Sequence, residues 1–314
     1  MNPSLRILLV LVVNSASCQT IQPVAVDEDG IQLTRLKNPT TSPYVTYRTG
    51  QLPIILSVPH GGYLTPGTIP DRNCADCVYV RDAWTQELGQ AIDSVLTART
   101  GCAVHLVVNL LHRIKMESNR EIVEGANGNS TAEQAWRAYH DALAQAKQSV
   151  VQTFGKGLLI DIHGHGHAIQ RLELGYLVSA SSLQKNDSQL NSLASASSIF
   201  NLTKPASGGH TLSSLLRGTY AFGTLLNQGG YASVPSQADP YPQINDPYFN
   251  GGYITQQYGS SSGGTLDALQ IEHNMTGIRD TKANRIRYAQ SLATALDTYL
   301  QRYYFGQSIT TLCR

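Results

Sequence analysis

The stretch LLIDIHGHG, residues 158–166, is the most informative segment of the sequence, because an apolar run ends there in a histidine that is followed by glycine. Residues 158–162 are typical of a short buried strand that leads directly into His163. The same pattern occurs earlier, where an apolar strand over residues 54–58 precedes Pro59-His60-Gly61-Gly62. In α/β folds ligands bind beyond the carboxyl ends of the strands, so we expect His60 and His163 at one edge of a sheet.

Strand-like and helical segments alternate around these two strands. Further strands are predicted over residues 104–111 and 266–272, and helices over residues 82–96 and 281–300. Another helix is predicted after Ser130-x-x-Glu133, which has the pattern of a capping box. The alternation predicts an α/β fold, a three-layer sandwich with a mostly parallel mixed sheet. Residues 179–258 are rich in Ser, Gly, Asn and Pro, so we expect long loops there rather than a second core.

Composition excludes several classes of protein. The chain has 314 residues, 41% of them hydrophobic, which is enough to bury a substantial core. Its 23 basic and 22 acidic residues give a net charge of +1, whereas binding nucleic acid by bulk charge needs a basic surplus. A largely disordered chain would also show fewer apolar residues. We therefore expect a globular protein that binds no nucleic acid.

The N-terminus has the features of a secretory signal. Arg6 precedes an apolar run over residues 7–13, and small residues offer a cleavage site near Cys18. The run is too short to span a bilayer, and the alternative is a buried N-terminal strand. We expect a signal peptide over residues 1–18, a single catalytic domain over residues 19–314, and a secreted, extracellular protein without a membrane anchor. Four N-glycosylation sequons fit export; they begin at Asn129, Asn186, Asn201 and Asn274.

The mature chain keeps an even set of four cysteines, which predicts two disulfides in an oxidising compartment. Four cysteines allow three connectivities, of which we favour Cys74–Cys77 with Cys102–Cys313. A zinc site at Cys74 and Cys77 would need a second pair of ligands, and none stands out nearby.

The two histidines that follow strands suggest a metal site. Catalytic zinc takes three protein ligands and leaves one position open. Asp82 is the preferred carboxylate beside His60 and His163, with Glu87 in reserve, although Asp82 could instead cap a helix. Asp161 is expected to orient a ligand imidazole. His165 and His167 point in different directions from one turn, so we interpret them as supporting or surface groups.

Two arginines and a glutamate complete the candidate chemistry. Arg113 and Arg120 follow a strand, and an arginine can grip a carboxylate or stabilise an oxyanion. The alternative is surface salt bridges, for instance with Glu117 or Glu121. Glu272 ends the strand at residues 266–272, where a buried carboxylate needs a partner. A metal-activated water would be such a partner, with Glu272 as the general base.

Taken in order, these motifs resemble the N-formylglutamate amidohydrolase family, which shares the phosphorylase/hydrolase-like fold of zinc carboxypeptidases. The resemblance covers most of the mature chain and rests on six segments. They are residues 57–62, Asp82 with Leu88, the set Arg113, Glu117, Asn119 and Arg120, residues 161–163, residues 245–255, and residues 268–272.

The resemblance implies Zn²⁺ held by His60, Asp82 and His163, with Glu272 activating water. It further implies that Arg113 polarises the scissile carbonyl. Substrate-binding roles follow by the same resemblance for three residues, namely Asn119, Arg120 and Tyr253. The chain departs from the family at Gln256, where the family carries an arginine. We therefore expect the substrate to be a small N-acyl amino acid or a peptide end rather than N-formylglutamate.

Two other functions are compatible with parts of the sequence. An extracellular matrix or binding protein could keep the fold without turnover, as the sequons and Ser/Gly-rich loops would allow. A serine hydrolase is suggested by Gly259-Ser260-Ser261-Ser262-Gly263, which formally matches a nucleophile elbow. That motif belongs between a buried strand and a helix, and here it lies in a low-complexity loop, so we reject it.

Overall fold

The computed structural model describes residues 42–313, so the predicted signal peptide lies outside the described residues. Its framework is one seven-stranded sheet with strand order β1-β3-β2-β4-β7-β5-β6. The strands are β1 (Val45–Arg48), β2 (Ile54–Val58), β3 (His105–Asn109), β4 (Gly157–Gly164), β5 (Leu172–Gly175), β6 (Ser233–Val234) and β7 (Leu266–His273).

Helices of very different length surround the sheet. The α-helices are α1 (Thr85–Thr100), α2 (Ile122–Ala126), α3 (Ser130–Phe154), α4 (Ala180–Leu183), α5 (Asp187–Asn191), α6 (Leu212–Arg217), α7 (Phe222–Gln228), α8 (Tyr253–Tyr258) and α9 (Lys282–Leu300). Single 3₁₀ or π turns cover Ala194–Ala196, Phe200–Thr203, Pro205–Ser207, Ser260–Ser262, Met275–Arg279, Gln301–Phe305 and Ile309–Thr311. In the described range, residues 42–313, no helix is both long and apolar enough to cross a membrane.

The sheet is mixed with a parallel centre, as predicted. Strands β3, β2, β4 and β7 pair in parallel, whereas β1 joins β3 and β5 joins β7 in antiparallel fashion. The four parallel strands therefore end at the same edge of the sheet. In α/β folds this edge, at a crevice between strands and loops, is where ligands bind.

The two faces of the sheet are covered by different helices, which gives the predicted three layers. Helices α3 and α8 pack on one face, against Ile55, Leu159 and Ala268. Helix α1 packs on the other face and brings Gly89 against Val58, where a Cβ atom would lie 2.8 Å from the valine side chain. Helix α9 packs in turn on α1. Apolar burial on both faces explains why the central strands contain near-continuous hydrophobic runs.

Several predicted boundaries and one predicted cap differ from the observed ones. Helix α1 begins at Thr85 rather than at Asp82, because Trp84 takes a left-handed conformation (φ 68°) just before it. The helix α3 starts as predicted, but its cap is Asn129, whose side chain accepts the amide protons of Thr131 and Ala132. The capping box assigned to Ser130 is therefore incorrect. Strand β4 extends past its predicted end at residue 162 and includes His163, whereas β7 includes Glu272 as predicted and extends one residue further, to His273.

The segment of residues 179–258 is not simply a set of long loops. It contains five short α-helices and strand β6, and it buries apolar side chains such as Leu190, Leu215 and Phe222. Short amphipathic turns separated by Ser and Gly give no sustained helical period, which is why the pattern favoured loops.

The structure pairs the cysteines in the favoured connectivity. Cys74 and Cys77 have Cα atoms 5.2 Å apart, and Cys102 and Cys313 have Cα atoms 5.6 Å apart. The second pair joins the turn after α1 to the end of the described chain.

The sequons lie in different environments. Asn186 is exposed and Asn129 is half-buried, whereas Asn201 and Asn274 are buried. A glycan is a bulky surface group. The Nδ2 atom of Asn201 lies inside the folded chain, and that of Asn274 donates to the carbonyl of Thr276, so neither is exposed as a glycan acceptor in this fold.

Candidate active site

Three predicted metal ligands meet at the edge where the parallel strands end. His60 lies two residues after β2, His163 lies near the end of β4, and Asp82 lies in the loop before α1. The Oδ2 atom of Asp82 is 3.4 Å from His60 Nδ1 and 3.3 Å from His163 Nδ1. All three side chains are buried, and the two imidazole rings lie edge to face with centroids 4.7 Å apart.

The far nitrogen of each imidazole is held by its own carboxylate. His60 Nε2 bonds to Glu117, and His163 Nε2 lies 2.8 Å from Asp161 Oδ2. Asp161 in turn accepts the hydroxyl proton of Ser57 over 2.7 Å. A carboxylate that binds one imidazole nitrogen fixes the ring and the tautomer, leaving the other nitrogen free to ligate a metal. Asp161 thus orients His163 as predicted, and Glu117 does the same for His60.

The donor atoms that face one another fit a divalent metal ion. Within residues 42–313, His60 Nδ1 is buried and has no hydrogen-bond partner, which is costly for a polar atom. A metal ion beside Asp82 Oδ2 and His163 Nδ1 would satisfy this nitrogen. Two imidazoles and a carboxylate are a donor set that proteins use for such ions.

Asp82 is held as an anion between the histidines. Burial alone would raise the pKa of Asp82, but the neighbouring imidazoles of His60 and His163 hold that pKa well below its usual value. The same carboxylate accepts the backbone N–H of Gly164 over 3.0 Å, so it does not cap helix α1. The reserve ligand Glu87 lies apart from this group, and its carboxylate instead accepts the Tyr63 hydroxyl.

Arg113 belongs to the same cluster. Its Nε donates to Glu117 Oε2 over 2.6 Å, and its Nη1 lies 3.6 Å from Asp82 Oδ1. Burial raises the pKa of Glu117, but His60 and Arg113 outweigh this effect and keep the pKa low. The Arg113–Glu117 pair that the sequence offered as a surface salt bridge therefore belongs to the site, with Glu117 buried and the Arg113 side chain only 12% exposed.

Arg120 lies at the mouth of the site in a more open environment. Its side chain is 44% exposed, donates to the carbonyl of Asn119 over 2.9 Å, and lies 3.3 Å from Glu124. An exposed ion pair of this kind is worth at most about 1 kcal/mol. The guanidinium could therefore release Glu124 and bind an incoming carboxylate with little loss of free energy.

Asn119 connects the loop after β3 to helix α8. Its Oδ1 accepts the backbone N–H of Ile254 over 2.8 Å, and its Nδ2 lies 3.4 Å from His163 Nε2. Gly252 permits this contact, because a Cβ atom there would lie 2.4 Å from Asn119 Nδ2. Asn119 lines the cavity described below, with its amide oxygen already engaged by the protein.

Tyr253 does not line the cavity, in contrast to its predicted role at the substrate. Its ring packs 5.6 Å from that of His140 and 6.1 Å from that of Trp136 on helix α3. The tyrosine follows Gly252, which does line the cavity, so the backbone rather than the ring of this turn faces the site.

Glu272 faces the histidines from strand β7. It pairs with His163 in the sheet register, and its Oε1 lies 3.9 Å from His163 Nδ1. Burial raises the pKa of Glu272 to about 8, despite the lowering effect of His163. Gln270, two residues earlier on the same face, donates its Nε2 proton to Glu272 Oε1 over 3.0 Å.

A cavity of about 530 Å³ opens over these groups. Its size falls within the range of small-molecule sites. The lining includes the three candidate ligands, the arginines and Glu272, together with several apolar side chains. The residues are His60, Val78, Val80, Arg81, Asp82, Ala83, Arg113, Asn119, Arg120, His163, Gly164, His165, Gly166, His167, Phe249, Gly251, Gly252, Gln270, Glu272, Met275 and Arg279.

His165 and His167 support the wall of the cavity, as expected of supporting groups. His165 Nε2 bonds to the carbonyl of Arg171, and its Nδ1 accepts the backbone N–H of His167. His167 Nδ1 lies 2.7 Å from Glu173 Oε1. These two histidines and Glu173 lie close enough to form a second metal-binding group, but both ring nitrogens of His165 are already engaged in these contacts.

Sequence reasoning missed three residues that shape the site. Glu117 was noted only as part of a motif and as a salt-bridge partner, although its position four residues after Arg113 indicated that the two side chains could pair within the site. Gln270 alternates with Glu272 along one strand face, a period-two signal. Arg279 gave no signal. It is buried, and its guanidinium donates hydrogen bonds to the backbone carbonyls of Ala83, His165 and His273.

The serine-hydrolase alternative finds no support in the geometry. Ser260 follows helix α8 and begins a single 3₁₀ turn rather than linking a strand to a helix. Its side chain is buried and bonds to Asp267.

Comparison with known proteins supports the fold of this chain. No protein-family model matches the sequence, and no curated protein matches it. Among solved structures, this chain is similar to N-formylglutamate amidohydrolase from Ralstonia eutropha JMP134, with a TM-score of 0.51 and 15% sequence identity. The match covers 82% of this chain and 98% of the bacterial chain. The mixed α/β sandwich is thus shared with that amidohydrolase over nearly its whole length.

Proposed function

We propose that this chain is an exported, zinc-dependent amidohydrolase that cleaves the amide bond of an N-acyl amino acid or a peptide end. One observation carries the proposal: the Nδ1 atoms of His60 and His163 lie 3.4 Å and 3.3 Å from the same Asp82 oxygen, and Glu272 lies beside them. The fold shared with an amidohydrolase supports the reaction type.

The spacing of the donor atoms favours zinc. Zinc bonds to imidazole nitrogen and carboxylate oxygen of about 2.0–2.1 Å place the ligand atoms of a tetrahedral site about 3.3–3.4 Å apart. The two distances from Asp82 Oδ2 match this separation. When bound, zinc supplies a Lewis acid and promotes the ionisation of water near neutral pH.

The residues of the chain would divide the remaining work. Glu272, whose pKa a divalent cation bound beside it would lower, would take the proton of the attacking water and later return it to the leaving amine. Arg113 would approach the carbonyl oxygen as negative charge develops on it. Arg120 would bind the carboxylate of the amino-acid half with two parallel hydrogen bonds.

The setting proposed for this reaction is outside the cell. The apolar run over residues 7–13 and two paired sets of cysteines support export. Buried carboxylates that orient two imidazoles are expected of a catalytic metal site and not of a matrix protein without turnover. We therefore favour the enzyme over the matrix protein.

The test compares zinc-loaded and chelator-treated protein on N-acyl amino acids and dipeptides. We expect hydrolysis only with zinc, and a loss of about 10²–10⁴-fold in kcat for Glu272→Gln at unchanged zinc content. Arg120→Ala should raise KM for substrates with a free carboxylate, while Arg137→Ala, an exposed change on α3 away from the cavity, should not. Equal hydrolysis with and without zinc, or full activity of Glu272→Gln, would overturn the proposal.

A further inference from the structure

The mouth of the cavity carries apolar side chains that are unusually exposed. Val78, Val80 and Phe249 line the cavity, yet their exposed fractions are 47%, 76% and 45%. We call these three residues the apolar rim. Single exposed apolar residues are common, but a group of them at a cavity marks a binding surface.

The valines of the apolar rim are held in place rather than loosely exposed. The segment that carries them directly follows the short loop closed by the Cys74–Cys77 pair. Arg72 donates to the carbonyl of Val78 over 2.7 Å. Between the two valines, Tyr79 turns away from the cavity and donates its hydroxyl to the carbonyl of Cys74 over 3.4 Å. Both valines therefore face the cavity from a braced segment.

Phe249 approaches the cavity from a different loop and is equally anchored. Its ring stacks on His167 with centroids 4.9 Å apart, and its backbone N–H donates to Glu173 Oε2 over 2.8 Å. Met275 adds a fourth apolar side chain to the lining. Separate chain segments thus each contribute an apolar group to one cavity.

We propose that the apolar rim binds the acyl chain of the substrate, so that the substrate is an amino acid acylated with an apolar group of several carbons. This inference rests on the proposed amide hydrolysis. Arg113, the candidate partner of the scissile carbonyl, lies 3.5 Å from the carbonyl of Val80. The carboxylate half of the substrate is assigned to Arg120, which leaves the apolar rim for the acyl half. A cavity of about 530 Å³ also exceeds what a formyl group needs.

The first test is a series of N-formyl, N-acetyl, N-butanoyl and N-hexanoyl glycine with zinc-loaded protein. We expect kcat/KM to rise by about two- to fourfold for each methylene up to hexanoyl, the upper value being full burial of each group. Val80→Ser should flatten the series. Val123→Ser, which changes a residue that is 80% exposed but does not line the cavity, should leave it intact. A flat series, or equal effects of the two variants, would overturn the inference.

A second measurement separates this inference from the proposed function. Calorimetric binding of N-hexanoylglycine and N-acetylglycine to Glu272→Gln requires no turnover. Tighter binding of the hexanoyl compound, weakened by Val80→Ser, would support the apolar rim even if no amide were hydrolysed. Equal affinities would overturn it even if amides were hydrolysed. A gain for N-acetylleucine over N-acetylglycine without a gain for hexanoyl would assign the apolar rim to the amino-acid side chain and contradict the acyl assignment.

Discussion

Replacing Glu117 by Gln should weaken metal binding without removing a ligand. Glu117 is buried and accepts three hydrogen bonds, from His60 Nε2, from Arg113 Nε over 2.6 Å and from the backbone N–H of Asn119 over 2.8 Å. Of these three hydrogen bonds, only the one from His60 involves a candidate metal ligand. Hydrogen bonds that involve a charged group contribute about 1.5–3 kcal/mol each. The effect on metal affinity should therefore be about one such bond, or roughly 10–100-fold, in line with other carboxylates that support metal-bound histidines.

The assay is a competition titration of zinc against a chromophoric chelator. Glu124→Gln is the matched control, because it makes the same chemical change at a carboxylate that is 46% exposed and pairs with Arg120 at the surface. We expect Glu124→Gln to bind zinc within about fivefold of the parent, since an exposed pair contributes about 1 kcal/mol or less. Asp161→Asn, the equivalent change behind His163, should resemble Glu117→Gln. Parent-like zinc affinity for both Glu117→Gln and Asp161→Asn would refute the assignment of these carboxylates.

Two further predictions concern packing and pH. Gly252→Ala would place a Cβ atom 2.4 Å from Asn119 Nδ2, so we expect a lower melting temperature and reduced activity. The control is Gly67→Ala, where no described atom lies within 4 Å of the added Cβ, and it should change neither property. If Gly252→Ala also left both properties unchanged, the packing at Asn119 would not be as tight as described. Burial lowers the pKa of His105 to about 4 from 6.5, so the unfolded chain binds more protons in this interval and stability falls as the pH falls from about 6.5 towards 4. Between pH 7 and pH 5 the parent should lose about 2 kcal/mol more unfolding free energy in urea than His105→Gln, and equal losses would show that His105 does not titrate this way.

The framework and the histidines of the site could be predicted from local pattern. Buried parallel strands have a continuous apolar run that short sequence windows capture. Because parallel strands end at one edge of the sheet, His60, His163 and Glu272 had to lie near one another once the strands were identified.

The connections between these strands could not be predicted in the same way. Asp82 was selected by residue type, but nothing in the sequence indicated the left-handed conformation of Trp84, which a residue other than glycine rarely adopts and which separates Asp82 from the start of α1. Asn119 carried a substrate role by resemblance, whereas the structure uses its amide oxygen to bind the start of α8. Neither residue lies in a periodic segment, so the local sequence did not indicate where its side chain points.

The most direct test of the metal site is zinc X-ray absorption spectroscopy on the zinc-loaded protein. We expect one tightly bound zinc per chain with imidazole nitrogen and carboxylate oxygen neighbours at about 2.0–2.2 Å, and reduced imidazole scattering in His60→Ala and in His163→Ala. A sulfur shell at about 2.3 Å, or a spectrum unchanged by both substitutions, would show that zinc binds elsewhere and would contradict the central claim.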